Sequence, residues 1–91
     1  MNKKKILIVD DEIDIASNMK LILDDENYHA DIAHNSDDTF INLTKYDYDL
    51  IILDVWLDNS DLDGIGILKK IRETNLTPII IISGLLKIIL S

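Results

Sequence analysis

The chain has 91 residues, of which 47% are hydrophobic and 29% charged, and its formal net charge is −8. This length and composition predict one small globular domain, and the acidic balance disfavours nucleic-acid binding, which needs clustered Lys and Arg. The sequence has no cysteine, no signal-peptide core and no apolar run near the roughly 20 residues of a membrane span, so we expect a cytoplasmic protein.

The first part of the chain predicts a strand, a helix and a second strand. Ile6 to Val9 is a short apolar run, typical of a strand that is buried on both faces. Residues 13–25 follow the helical period. The predicted packing stripe of this helix consists of Ile15, Ala16, Met19, Ile22 and Leu23. Asn27 stands where a left-handed residue would end the helix, and residues 28–33 alternate weakly, as in a short strand.

The second part continues the alternation. Asn35 and Ser36 offer an N-cap for a helix that extends to about residue 45. The next strand is an apolar run that ends at Asp54, and a polar loop then leads to a helix from Gly64 with Ile65, Leu68 and Ile71 at spacing three. Residues 79–82 are a fourth apolar run. This βαβαβαβ order predicts a parallel sheet with right-handed crossovers and helices on both faces.

Polar side chains follow three of the predicted strands. Asp10 and Asp11 follow the first strand, Asp54 ends the third, and Ser83 follows the fourth. If these strands are neighbours, the side chains converge at the edge of the sheet where open α/β folds bind ligands. Carboxylates held together repel, and Mg²⁺ relieves that repulsion by taking one or two of them with carbonyl and water oxygens. For Asp54 alone, an ordinary role as a loop acid stays open.

These residues carry a family resemblance. The segment from Lys5 to Glu12 (KILIVDDE), Leu53-Asp54 and residues 82–84 (ISG) together resemble the receiver domain of two-component response regulators. The loop from Asp54 to Gly64, which is longer than in most receivers and lacks their usual proline, is similar to the NtrX-like branch. The resemblance implies a flavodoxin-like (CheY-like) doubly wound parallel sheet with strand order 2-1-3-4-5.

The resemblance also implies a role for each matching residue. Asp54 is the expected phosphoacceptor, modified by a sensor histidine kinase, and Ser83 is the expected switch hydroxyl. Asp11 is the expected direct Mg²⁺ ligand, Asp10 acts mainly through water, and Trp56 offers its backbone carbonyl. We therefore expect a signalling module and not an enzyme, one that regulates transcription through further domains.

The resemblance ends near Gly84. A receiver continues with a helix, a fifth strand that bears a lysine, and a last helix, and Lys87 follows Ser83 too closely to be that lysine. We expect residues 1–84 to form an incomplete receiver domain, lacking the fifth strand and the last two helices, and residues 85–91 to form an apolar tail. Residues 79–82 would then be an exposed edge, and this edge or the tail would be a surface for self-association.

Two alternatives differ in class. A phosphatase of the haloacid dehalogenase type also uses a strand-end Asp with Mg²⁺, but it needs a second Asp two positions on, where this sequence has Trp56. A non-signalling remnant of an interrupted NtrX-like gene would keep the ancestry and lose the reaction. Phosphorylation of Asp54 distinguishes a working receiver from such a remnant.

Overall fold

The computed structural model describes residues 3–55, 63–83 and 87–90, with Ser83 and residues 87–90 described by their backbone alone. The elements in chain order are β1 (Lys5–Val9), α1 (Ile13–Asp25), β2 (His29–Ala33), α2 (Ser36–Lys45), β3 (Leu50–Asp54), α3 (Gly64–Arg72), β4 (Ile79–Ser83) and β5 (Lys87–Leu90). None of the helices in these ranges has the length and apolar character that crossing a bilayer requires.

The strands form one sheet in the order β2-β1-β3-β4-β5. The first four are parallel to one another, with Val9 paired with Leu53 and Asp54 paired with Ile82. The predicted doubly wound, flavodoxin-like sheet is therefore confirmed. Because the strands are parallel, β1, β3 and β4 all end at the same side of the sheet, which we call the carboxyl edge.

The outer edge of β4 differs from the expectation. β5 pairs with β4 in the antiparallel direction, from Ser83 opposite Lys87 to Ile80 opposite Leu90. The prediction that β4 is an exposed edge is therefore wrong. The short isoleucine-rich segment takes this place because it offers the backbone groups that satisfy those of β4. The parallel, lysine-bearing fifth strand of a receiver is not among the described elements.

One face of the sheet packs against α2 and α3. The buried residues of this cluster are Leu7, Val9, Ala33, Tyr48, Ile51, Leu53, Ile67, Ile71, Ile79 and Ile81. The helices add Phe40, Leu43 and Leu68, which are partly buried. Ile65 is 44% exposed, so its predicted place on the packing stripe of α3 is wrong, and Ile67 is the buried residue instead. The packing face of α3 was mispredicted because this helix carries isoleucines on more than one side.

The opposite face packs against α1, the one helix that the described residues place there. Its buried cluster consists of Ile6, Ile8, Ala16 and Ala30. Met19 and Leu23 pack against this cluster as predicted, whereas Ile15 and Ile22 are 43% and 62% exposed. The prediction that these two isoleucines belong to the packing stripe is wrong. Residues at the margins of the stripe stay exposed because the described chain places no second helix beside α1 to cover them.

Local signals at the helix ends were more reliable. The side chain of Asn35 accepts a hydrogen bond from the backbone N–H of Asp38 (2.8 Å), which confirms the predicted N-cap of α2. Asn27 has φ = 70°, which confirms the left-handed residue after α1. Asp63 caps α3 by accepting from the N–H of Gly66 (2.8 Å). This cap fixes the start of the helix that follows the polar loop.

Candidate functional site

Three carboxylates meet at the carboxyl edge. Asp10 directly follows β1 and Asp54 ends β3, and the pairing of Val9 with Leu53 brings these next positions side by side. One carboxylate oxygen from each of Asp10, Asp11 and Asp54 lies within 4.8 Å of the others. The predicted convergence of the acidic residues at this edge is therefore confirmed as a matter of geometry.

The cluster is buried enough to make its charge costly. Asp10 is 1% exposed and Asp54 is 7% exposed, and Asp11 is half-buried. Burial raises the pKa of Asp10 to about 6, a hydrogen bond from the backbone N–H of Glu12 opposes this rise, and the charges of Asp54 and Asp11 add to it. Such an arrangement destabilises the ionised protein, so stability alone does not explain it.

The backbone around Asp10 is fixed from two sides. Its N–H donates to the carbonyl of Ala33 at the end of β2 (3.0 Å), and its Oδ1 accepts from the N–H of Glu12 (2.9 Å). Nδ1 of the half-buried His34 lies 3.1 Å from the carbonyl oxygen of Asp10, so it is the donor in this contact. The sequence analysis did not assign His34 to the site. Its position directly after β2, at the same edge, was the available signal.

Asp54 is held by the start of α3. The N–H of Val55 donates to the carbonyl of Ile82 in β4 (3.0 Å), and the N–H of Gly64 donates to the carbonyl of Val55 (3.2 Å). A Cβ at Gly64 would lie 2.3 Å from the Cα of Val55 and 2.4 Å from the backbone oxygen of Asp54. Only glycine allows this close approach. The sequence analysis used Gly64 as a helix start and did not predict that it supports Asp54.

Two predicted site residues stay predictions. Ser83 is the last residue of β4, one position beyond the Ile82 that pairs with Asp54, so its backbone lies at the carboxyl edge. Its side chain lies outside what the structure describes, and Trp56 falls wholly outside the described residues. The polar loop of residues 58–62 also falls outside them.

The acidic cluster fits a hard divalent cation. Asp10, Asp11 and Asp54 supply oxygen ligands, the kind that Mg²⁺ prefers, and they come from two adjacent strand ends. Burial and the neighbouring carboxylates raise the pKa of Asp10, so its ionised form is costly in this cluster. A cation bound there would offset this repulsion, so the cluster can hold a metal ion.

Comparison with known proteins identifies the class. The family model of the response regulator receiver domain matches residues 6–88, so the chain belongs to that family. Over 80 residues, covering 87% of this chain, it is 44% identical to a putative NtrX-like response regulator of Rickettsia bellii (strain RML369-C). It is also 40% identical over 83 residues, 91% of this chain, to the transcriptional regulatory protein ResD of Bacillus subtilis (strain 168).

Solved structures agree with the sequence relatives. The receiver domain of NtrX from Brucella abortus matches with a TM-score of 0.81 and 34% identity, covering 84% of this chain and 64% of that chain. The receiver prediction and its NtrX-like resemblance are therefore confirmed. This chain spans 17% of the length of the Rickettsia relative and 34% of ResD.

Proposed function

We propose that this chain is the phosphoacceptor module of a two-component phosphorelay, in which Asp54 receives a phosphoryl group from a sensor histidine kinase. The meeting of Asp10, Asp11 and Asp54 at the carboxyl edge, in a member of the receiver family, is the observation that supports this function best. ResD is a transcriptional regulatory protein. We infer that this module also acts on transcription, through domains other than the one described.

The proposed reaction is a displacement at phosphorus. A carboxylate oxygen of Asp54 attacks the phosphorus of a phosphohistidine, a P–O bond forms, and the P–N bond breaks with its electron pair left on the imidazole nitrogen. Such transfers depend mainly on positioning and charge neutralisation. The pairing of Val55 with β4 and the contact of Gly64 with the backbone fix the position of Asp54.

The neighbouring acids are proposed to bind Mg²⁺. Asp11 and Asp54 would bind it directly, Asp10 mainly through water, and Trp56 through its backbone carbonyl. When bound, Mg²⁺ supplies positive charge for the incoming phosphoryl oxygens. Asp10 keeps its place because Glu12 and His34 bind its carboxylate and its carbonyl. Ser83 would offer its hydroxyl to the phosphoryl group.

Intact mass measures the reaction. The folded protein is incubated with phosphoramidate, a small phosphodonor, with and without Mg²⁺. We expect a mass gain of one phosphoryl group that requires Mg²⁺ and is absent in Asp54→Asn. Asp25→Asn makes the same chemical change at an exposed site at the end of α1 and should leave the gain intact.

Two results would defeat the proposal. One is no mass gain in protein that circular dichroism shows to be folded, and the other is an equal gain in Asp54→Asn. The first result would favour the non-signalling alternative. A Mg²⁺-dependent rise in melting temperature without phosphorylation would then show that the acidic cluster binds metal but no longer receives phosphate.

A further inference from the structure

A side chain continues the hydrogen bonding between β1 and β2 past their last paired residues. The register of these strands ends with Val9 opposite Ala33, and the N–H of Asp10 then donates to the carbonyl of Ala33 (3.0 Å). The chain next leaves β2 for the cap of α2. At this point Nδ1 of His34 donates to the carbonyl of Asp10 (3.1 Å). The backbone of Asp10 is thus held by β2 at its N–H and by an imidazole at its carbonyl.

The bond from His34 acts on the peptide between Asp10 and Asp11. A peptide unit is planar, so the carbonyl of Asp10 lies in one plane with the N–H and Cα of Asp11. The N–H of Asp10 is bound to Ala33, and its carboxylate is bound to the N–H of Glu12 (2.9 Å). The remaining rotation at Asp10, about ψ, turns the peptide plane, and the bond from His34 restricts this rotation. His34 therefore helps to set where the backbone of Asp11 lies.

Asp11 is the member of the acidic cluster that this orientation affects most directly, because it follows the peptide that His34 holds. It lies between β1 and α1, in neither element, and is half-buried. Mg²⁺ demands nearly ideal octahedral geometry of its ligands. Removing a group that orients a metal ligand typically weakens metal binding by roughly 10–100-fold. A change at His34 is therefore expected to reach the metal site through Asp11.

We propose that His34 is a positioning residue, whose Nδ1–H orients the Asp10–Asp11 peptide and so places the carboxylate of Asp11 for Mg²⁺. This role rests on the proposed function, in which Asp11 binds the ion directly. His34 is not a member of the acidic cluster, so it acts through Asp11. The site requires a hydrogen-bond donor at the δ position of residue 34, and not an imidazole as such.

Two substitutions separate the donor from the bulk of the side chain. The amide of His34→Asn can place an N–H near the position of Nδ1, whereas His34→Leu branches at the same carbon and cannot donate. The Mg²⁺ dissociation constant of each folded, unphosphorylated protein is measured by a titration followed by backbone amide NMR. We expect His34→Leu to bind Mg²⁺ about tenfold more weakly than the wild type, and His34→Asn to stay within about threefold of it.

The matched control is the other histidine of the sequence. His29 begins the same strand at the opposite edge of the sheet, where its Nε2 lies 3.2 Å from Oδ1 of Asp31. His29→Leu should leave the Mg²⁺ dissociation constant unchanged. Because the amide signals come from native protein, a loss of stability alone does not alter the measured constant.

Equal dissociation constants for His34→Leu and the wild type would overturn the role of His34, as would equal weakening in His34→Leu and His34→Asn. If His34→Leu does not fold, His34→Gln replaces it, because its amide lies one carbon farther out than Nδ1. Binding by His34→Gln as tight as by His34→Asn would then contradict the need for a δ donor. A wild type without saturable Mg²⁺ binding would overturn the metal site and the role of His34 with it. A wild type that binds Mg²⁺ but is not phosphorylated would overturn only the proposed transfer to Asp54.

Discussion

One face of the sheet packs against α2 and α3, whereas in the described chain the other packs against α1 alone. The first face buries apolar residues from β1, β2, β3 and β4, whereas the buried apolar residues described on the second face are Ile6, Ile8, Ala16 and Ala30. Ile52 in the middle of β3 and Ile82 in β4 are only half-buried on the second side. The same sheet thus has a well-enclosed face and a thinly covered one.

The acidic site continues the thinly covered face. Side chains alternate along a strand, so Asp10 follows Ile6 and Ile8, and Asp54 follows Leu50 and Ile52. Burial on the α2–α3 face therefore supplies more apolar stabilisation than burial on the α1 face. The α1 face ends in the acidic cluster, where the charge of the buried Asp10 opposes stability, as expected where function and not folding explains a buried acid.

Ile51→Ala and Ile52→Ala compare the two faces with one residue type in one strand. Ile51 is fully buried under α2 and α3, and Ile52 is half-buried on the α1 side. We expect Ile51→Ala to lower the free energy of unfolding by about 3 kcal/mol and Ile52→Ala by about 1 kcal/mol, measured by urea denaturation. Equal losses would mean that the two faces are equally enclosed.

Asp10→Asn tests the cost of the acidic site. Because the pKa of Asp10 is raised to about 6 in the folded protein, the wild type should lose stability as the pH rises from the unfolded value near 4 through about 6. Without divalent ions, Asp10→Asn should raise the free energy of unfolding by about 2 kcal/mol at alkaline pH and leave it nearly unchanged below about pH 4. A gain of the same size at both pH values would show that ionisation is not its cause.

Gly64→Ala tests the contact between α3 and the backbone at Asp54. The added Cβ would overlap the backbone of Asp54 and Val55, so we expect a loss of about 1–2 kcal/mol and slower phosphorylation. Gly66→Ala, in the same helix, should be neutral or stabilising by up to about 1 kcal/mol, since alanine favours helix. Thermal melting and intact mass measure both effects, and identical behaviour of the two variants would contradict this view of Gly64.

Ile22→Gln should have the smallest effect. This side chain is 62% exposed on α1, and glutamine favours helix more than isoleucine does. We expect a change within about 0.5 kcal/mol in urea denaturation. A loss of 2 kcal/mol or more, on the order of a core substitution, would show that the outer side of α1 is covered in solution.

Much of the fold could be predicted because short-range signals agreed with one another. The apolar runs ending at Val9 and Asp54, the cap at Asn35 and the left-handed Asn27 all lie where the sequence placed them. The meeting of Asp10, Asp11 and Asp54 followed from a parallel sheet in which β1 and β3 are neighbours, the order that the family resemblance implied. Strand ends are positions that topology fixes strongly.

Other features depended on contacts that a local pattern does not encode. The helical period placed Ile15 and Ile22 on the packing stripe of α1, but it does not indicate how much of the sheet one helix covers. The pairing of Lys87 opposite Ser83 required knowledge of a chain reversal after β4. The roles of His34 and Gly64 arise from close approaches between residues that are not neighbours in sequence.

We propose that the carboxylates of Asp10, Asp11 and Asp54 at the carboxyl edge together form the site of a divalent ion. A Mg²⁺ titration followed by backbone amide NMR tests it most directly. We expect saturable shifts concentrated at the amides of Asp11, Glu12 and Val55, which Asp11→Asn abolishes and Asp25→Asn preserves. Shifts spread evenly over the acidic surface, or unchanged in Asp11→Asn, would contradict it.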